Sequence, residues 1–470
     1  MFEICVIATG FVLAASWLLA YCRTRDALHP LIYIAPMMAF QYVVRPWQLY
    51  SQGELQRLLP HDWILELGAL VHLVGVIGFC WGAFPKAREI NSQPVWRAIL
   101  TPQARQNIAR LAIVLGIISC FFFYYSVFGA GGITKAFGRP KGDGIRLASG
   151  YFGEAIGLCV PAVVLLLLAW QRRKLGLYEW GLISILASPY LLTGILGTRR
   201  GPAFMILGAM AFAWFLVRTS RPKLFRVVST VLLICLVVVF VFTNRPRLYV
   251  GSPEPIDWSA PWRFLTGKSG ASEGDDYVVA LANIAVVHST GKFGWGRDLL
   301  ITFFVRPIPR QLWPTQYEDA RRFLFSEREI VTSQDFLDTV GWVPAAGSAI
   351  GGVADLFRQF SWGVLLAMYL YGRFYGFVWN KARSQQGIWL IIYIIAASLS
   401  IYIPTQSMSA VFHRFLFLII PLVIIWKVLI EPKVVERQRL PVSRPVLPVF
   451  TASHARWAKG KAYTYFPKSS

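Results

Sequence analysis

The sequence predicts an all-α integral membrane protein of about 11 transmembrane helices, with one long outer loop containing short or re-entrant helices. Three observations predict it. Hydrophobic residues make up 56% of the 470-residue chain, above the roughly 45–50% of soluble domains. Apolar runs long enough to cross a hydrocarbon core of about 30 Å recur along nearly the whole length. The basic residues behind the formal net charge of +23 fall in short clusters between those runs, the pattern of a protein in a lipid bilayer and not of one that binds nucleic acid.

The runs place spans at Ile4–Ala20, Leu28–Val44, Trp63–Phe84, Ile108–Phe128, Tyr151–Trp170, Tyr178–Leu196, Pro202–Val217, Val227–Phe242, Phe360–Trp379, Ile388–Ile403 and Val411–Ile430. Arginine follows the first run, at Arg23 and Arg25, and none precedes it, the reverse of a signal peptide. "CRTR", "QRRK", "RTSRPKLFR", "NKARS" and a basic tail then share one side, which the positive-inside rule makes the cytoplasm. The N-terminus is expected outside and the C-terminus inside. Residues 1–432 form the membrane domain, 243–359 its large outer loop, and 433–470 the basic cytoplasmic tail. The six cysteines lie in or beside spans, so no disulfide framework is expected.

The stretch "YLLTGILGTRRGPAFMILGAMAF", Tyr190 to Phe212, interrupts an apolar run with two arginines. An arginine at the bilayer centre costs roughly 2.5–3.5 kcal/mol, so Arg199 and Arg200 belong at an interface. From Trp180 to Val217 one helix would run about 57 Å, nearly twice the core thickness. Gly197, Gly201 and Pro202 supply the break into two helices. The arginine pair then sits beside the N-terminus of the second helix, whose free N–H groups also favour an anion.

Further basic residues fall on the outer side: Arg139 and Arg146 in the glycine-rich connection 129–150, and Arg297, Arg306, Arg310 and Arg358 in the long loop. At 117 residues that loop is too long to be structureless. "DYVVALANIAVVHST", Asp276 to Thr290, reads as an apolar helix shorter than a span, re-entrant or interfacial.

"GTRRG", "IPRQLWPTQY" and "GSAIGGVADLFRQFSWGVLLAMYLYGRFYG" occur in that order. Together the chain from Gly181 to Gly376 resembles the O-antigen, or Wzy-type, oligosaccharide repeat-unit polymerases; the first 150 residues match only as generic spans. Asp355 stands where that family more often has glutamate. The resemblance implies a GT-C-like membrane glycosyltransferase of the bacterial inner membrane. It would transfer a growing glycan from undecaprenyl pyrophosphate onto another lipid-linked repeat unit at the periplasmic face, building surface polysaccharide. It also implies a chain-length regulator and a flippase as partners.

That reaction needs cations at the pyrophosphate leaving group, which the outer arginines Arg199, Arg200, Arg139, Arg146, Arg306 and Arg310 supply. The histidines form no close pair with metal-ligand spacing, so a metal-independent transfer with no cofactor is expected. For a general base the block around Asp355 and the acid at the outer end of a span, Glu154, are favoured. Secondary candidates are Arg297, Asp298, His288, Arg358, His413 and Arg414. Taken singly, each acid also fits a capping role. The alternatives are a ligase of the O-antigen-ligase type, with similar outer arginines, and a flippase or exporter of lipid-linked sugars. Transporters usually place charges at mid-membrane and show internal repeats, and no convincing repeat is present.

Overall fold

The computed structural model describes residues 1–85, 102–138, 151–171, 174–197, 199–218, 222–267, 273–306, 308, 312–326, 329–345, 347–385 and 387–427. The described residues form helices joined by turns and short irregular segments and contain no strand. Six of the helices are long and apolar enough to cross a membrane: α1 (Phe2–Thr24), α4 (Asp62–Ala83), α5 (Pro102–Gly129), α9 (Leu224–Thr243), α15 (Ile388–Ser398, continuing to Thr405) and α16 (Met408–Ile425). The protein is a multi-pass α-helical membrane protein.

The remaining elements are shorter or carry more polar residues. Helix α2 (Pro30–Ala39) passes through a π-turn, Phe40–Val44, into α3 (Arg45–Ser51), so the expected second span runs on as helix into the connection that follows it. Helix α6 (Cys159–Ala169) is preceded by a helical turn at Tyr151–Ala155 and a tighter one at Ile156–Leu158. Helices α7 (Leu177–Ile195) and α8 (Arg200–Arg218) are the two halves expected around the arginine pair. Pro202 is the third residue of α8, where its missing N–H had no intrahelical partner anyway.

In the long loop, α10 (Asp276–Thr290) occupies the stretch read from the sequence, and every residue from Tyr277 to Val287 is buried. Asp275 caps its first turn by accepting from the Tyr277 N–H at 3.0 Å, and Arg45 pairs with Asp275 at 2.7 Å. A helix apolar all round belongs inside the protein, and this one packs on α4 instead of facing lipid. Helices α11 (Gln316–Leu324), α12 (Ser333–Val340) and α13 (Gly352–Phe360) follow, and α14 (Val364–Gln385) re-enters the bundle.

Helices α4 and α14 form the tightest contact. A Cβ at Gly78 or Gly82 would overlap the carbonyl oxygens of Leu365 and Tyr369, and one at Gly372 that of Phe79. Small residues four apart let two backbones touch, and in lipid such packing replaces the hydrophobic effect that drives association in water. Around this pair α1 packs on α4, α15 on α14, α8 on α15, α6 on α8 and α5 on α6. Helix α6 is buried along its whole length, and α9, packed on α8, is the least covered of the long helices.

Candidate functional site

Several helix ends converge on Glu154, in the short turn that leads into α6. Arg306 donates to its carboxylate at 2.8 Å. Arg306 closes a π-turn, Ile301–Val305, through its own N–H to the Ile301 carbonyl at 3.2 Å, and that turn packs on α16. A π-turn inserts one extra residue into the helical repeat and swings the following side chain around the axis. From α16, His413 Nε2 lies 3.2 Å from the same Glu154 oxygen, out of line for a hydrogen bond. The next residue, Arg414, lies 4.7 Å over the Tyr402 ring.

Two tyrosines complete the group. Tyr190, near the end of α7, lies within electrostatic reach of Arg414 and Glu154. Its hydroxyl occupies the place of a side chain at Gly157, 2.8 Å from where a Cβ would stand. Tyr402 fills the corresponding space at Gly201, which would clash with the ring if it carried a Cβ. Gly201 is the second residue of α8, so the arginine turn borders the group through Tyr402. Arg199 is exposed there, and Arg200 opens the helix.

One carboxylate therefore faces two guanidinium groups and an imidazole, an excess of positive charge whichever protonation state His413 takes. Arg414 has a buried guanidinium nitrogen with no hydrogen-bond partner. Leaving such a donor unpaired costs about 1–3 kcal/mol, more for a charged group, and an anion would satisfy it.

A second acid–arginine group lies at the start of α16. Asp355 is 1% exposed; one oxygen accepts the Met408 N–H at 2.8 Å and the other accepts from Arg358 at 3.0 Å. Burial pushes the Asp355 carboxyl above the usual carboxylate range, while Arg358 pulls it down. Arg358 also lies 3.4 Å from Asp298, which accepts from Gln359 at 2.8 Å.

The structure thus gathers Glu154, Arg306, His413 and Arg414 in one group and Asp298, Asp355 and Arg358 in another. Arg297 pairs with Glu329 at 2.7 Å and lies over the Phe325 ring, and His288 is exposed with its ring 6.3 Å from Trp63, so these two join neither group. Arg139, Arg146, Arg310 and the basic tail lie outside the described residues, as does the side chain of Arg200. Reading the sequence missed Tyr190, Tyr402 and Gln359. Tyrosines near span ends pass for the interfacial aromatic belt, so the available signal was the glycine each one covers, at Gly157 and Gly201.

Among the described residues no group of three or more His, Cys, Asp or Glu side chains is disposed to hold a metal ion. Comparison with protein-family models, with curated proteins and with solved structures finds no match.

Proposed function

We propose that this chain is a bacterial inner-membrane glycosyltransferase that polymerises undecaprenyl-pyrophosphate-linked repeat units into surface polysaccharide at the periplasmic face. In this reading the chain crosses the membrane eleven times, N-terminus outside and C-terminus inside, which puts Glu154, the α7–α8 turn and the start of α16 on the outer side. The observation that carries the proposal is the cationic group around Glu154: Arg306 and the neighbouring pair His413 and Arg414 come from two distant parts of the chain to one carboxylate, and Arg414 keeps a buried unpaired donor. The order of the "GTRRG", "IPRQLWPTQY" and "GVADLFRQF" segments supports the same chemistry.

The donor pyrophosphate binds between Arg306 and Arg414, with Arg199 and Arg200 at the entrance. Arginine's planar fork suits phosphate oxygens through charge-assisted hydrogen bonds. The phosphate draws Arg306 away from Glu154. The freed carboxylate takes the proton of the acceptor sugar hydroxyl as that oxygen bonds to the donor's anomeric carbon. The bond from that carbon to the pyrophosphate breaks, and the electron pair leaves on undecaprenyl pyrophosphate, whose charge the arginines stabilise.

A surface-polysaccharide gel tests the proposal. The host strain would carry a deletion of the gene, restored intact or with Arg306→Ala and Arg414→Ala together. Single repeat units in place of the long ladder, rescued only by the intact gene, are the expected result. Long polymer left on its lipid carrier would mean a ligase instead. Single units held at the cytoplasmic face would mean a transporter.

A further inference from the structure

Two arms of the chain carry the cations around Glu154. The first runs from Arg297 through the π-turn to Arg306; the second runs from Tyr402 through the start of α16 to Arg414. Helix α13 touches both. At its start the backbone presses on the second arm: a Cβ on Gly351 would lie 2.8 Å from the Pro404 carbonyl oxygen, and one on Gly352 2.6 Å from that of Ile403. Gly351 also has φ of 72°, a left-handed backbone that suits glycine. One turn on, Asp355 accepts the N–H of Met408, the first residue of α16, five residues before His413.

At its far end α13 grips the first arm. The Arg358 carbonyl accepts the Gly294 N–H at 2.9 Å. The Arg358 guanidinium lies 3.4 Å from Asp298, and Gln359 donates to that same carboxylate. Asp298 is eight residues before Arg306, about 12 Å along a helix. Because Arg358 also donates to Asp355, one guanidinium ties the two arms together.

We propose that α13 is the joint that sets the spacing of the anion site, with Asp355 and Arg358 as positioning residues that hold the segments carrying Arg306 and Arg414 beside Glu154. The inference rests on reading that group as a pyrophosphate site. Asp355 is buried with both oxygens engaged, so it acts on a ligand through the two segments it fixes. Phosphate recognition by paired guanidinium groups holds only within about 0.5 Å of the productive spacing, which is the tolerance such a joint controls.

The test uses the purified full chain in lipid nanodiscs. It reads the Kd for inorganic pyrophosphate and, separately, the ligand-free Tm of Asp355→Asn, Asp298→Asn, Arg358→Ala and Arg358→Lys. Asp355→Asn, Asp298→Asn and Arg358→Ala are each expected to weaken pyrophosphate binding at least about tenfold, while Arg358→Lys keeps most of the wild-type affinity. Asp298→Asn opens the joint from the far side and serves where Asp355→Asn does not fold. Folded variants that lose Tm yet bind pyrophosphate with the wild-type Kd would make the joint purely structural and overturn the proposal. Unchanged binding in Asp355→Asn together with lost polymerisation and a shifted pH profile would make Asp355 a group that meets the substrate, and would overturn it too. A wild-type chain that does not bind pyrophosphate removes the site itself, and both readings fall.

Discussion

The two acid–arginine groups near the start of α16 are both built from carboxylates and guanidinium groups and differ in the sign of what is left over. Around Glu154 one carboxylate meets Arg306 and His413 and lies within electrostatic reach of Arg414. Around Arg358 two carboxylates share one arginine, and both oxygens of Asp355 are in use. In a partly buried group a surplus positive charge is an invitation to a ligand of opposite sign. An acid whose oxygens all point at its own chain is instead a fastener. Each group keeps a buried guanidinium nitrogen without a partner, so the division of labour lies in stoichiometry: two arginines to one acid around Glu154, one arginine to two acids around Arg358.

The largest test of this contrast is to remove the surplus. Under the proposed function, Arg306→Ala with Arg414→Ala is expected to slow polymerisation by about 10³-fold, the upper range for deleting groups that stabilise a developing negative charge. Chain elongation in membrane vesicles measures it, and a loss below tenfold would erase the distinction between the two groups. Next comes the acid itself: Glu154→Gln should cost about 10²-fold in rate, as for a general base, while pyrophosphate binds as tightly as before or tighter because the resident counter-charge is gone. Weaker binding in that variant would show that Glu154 holds the site together and does not compete for its cations.

On the fastener side a stability cost is expected beside the loss of binding. Gln359 is fully buried and donates to Asp298 at 2.8 Å, so Gln359→Leu is expected to cost about 2 kcal/mol, the worth of a hydrogen bond to a charged group, read as a lower Tm. The smallest effect belongs to the exposed ion network that neither group includes. Ser259 first and Arg247 second hold the Asp257 carboxyl well below the usual carboxylate range. A depressed folded value means that this network supports the fold above the ordinary aspartate pKa of about 4 and loses that support as pH falls below it. The Tm difference between wild type and Asp257→Asn is therefore expected at pH 7 and should close as pH drops below about 4. A gap that persists in acid would mean that packing, and not charge, carries the network.

Much of the helical plan was legible in the sequence because it depends on local pattern. Length alone split Trp180–Val217 in two, and the apolar run at Asp276–Thr290 became α10 with those bounds. Glu154, Arg306, His413 and Arg414 were named from charge at span ends, yet their meeting was not visible, since Arg306 and Glu154 are 152 residues apart. The same holds for Asp355: "GVADLFRQF" shows an acid in the first turn of a helix, but not that its oxygen caps a different helix at Met408. The π-turns at Phe40–Val44 and Ile301–Val305 leave no mark on hydropathy. Nor did the glycines of α4 and α14 announce their partner, because small residues four apart state that a backbone approaches without stating whose.

Helix α10 has a consequence for how the protein is made. Its 15 residues are too few to be threaded across the bilayer as a span of their own, yet those from Tyr277 to Val287 end up buried. One wall, α4, has already left the ribosome when α10 emerges, but α13, which also packs on it, ends 70 residues later. At translation rates of about 5–20 residues per second that is roughly 4–14 s during which an oily segment waits unsheltered. Until the later helices that cover it are made, α10 can pack only on elements that precede it, α4 among them.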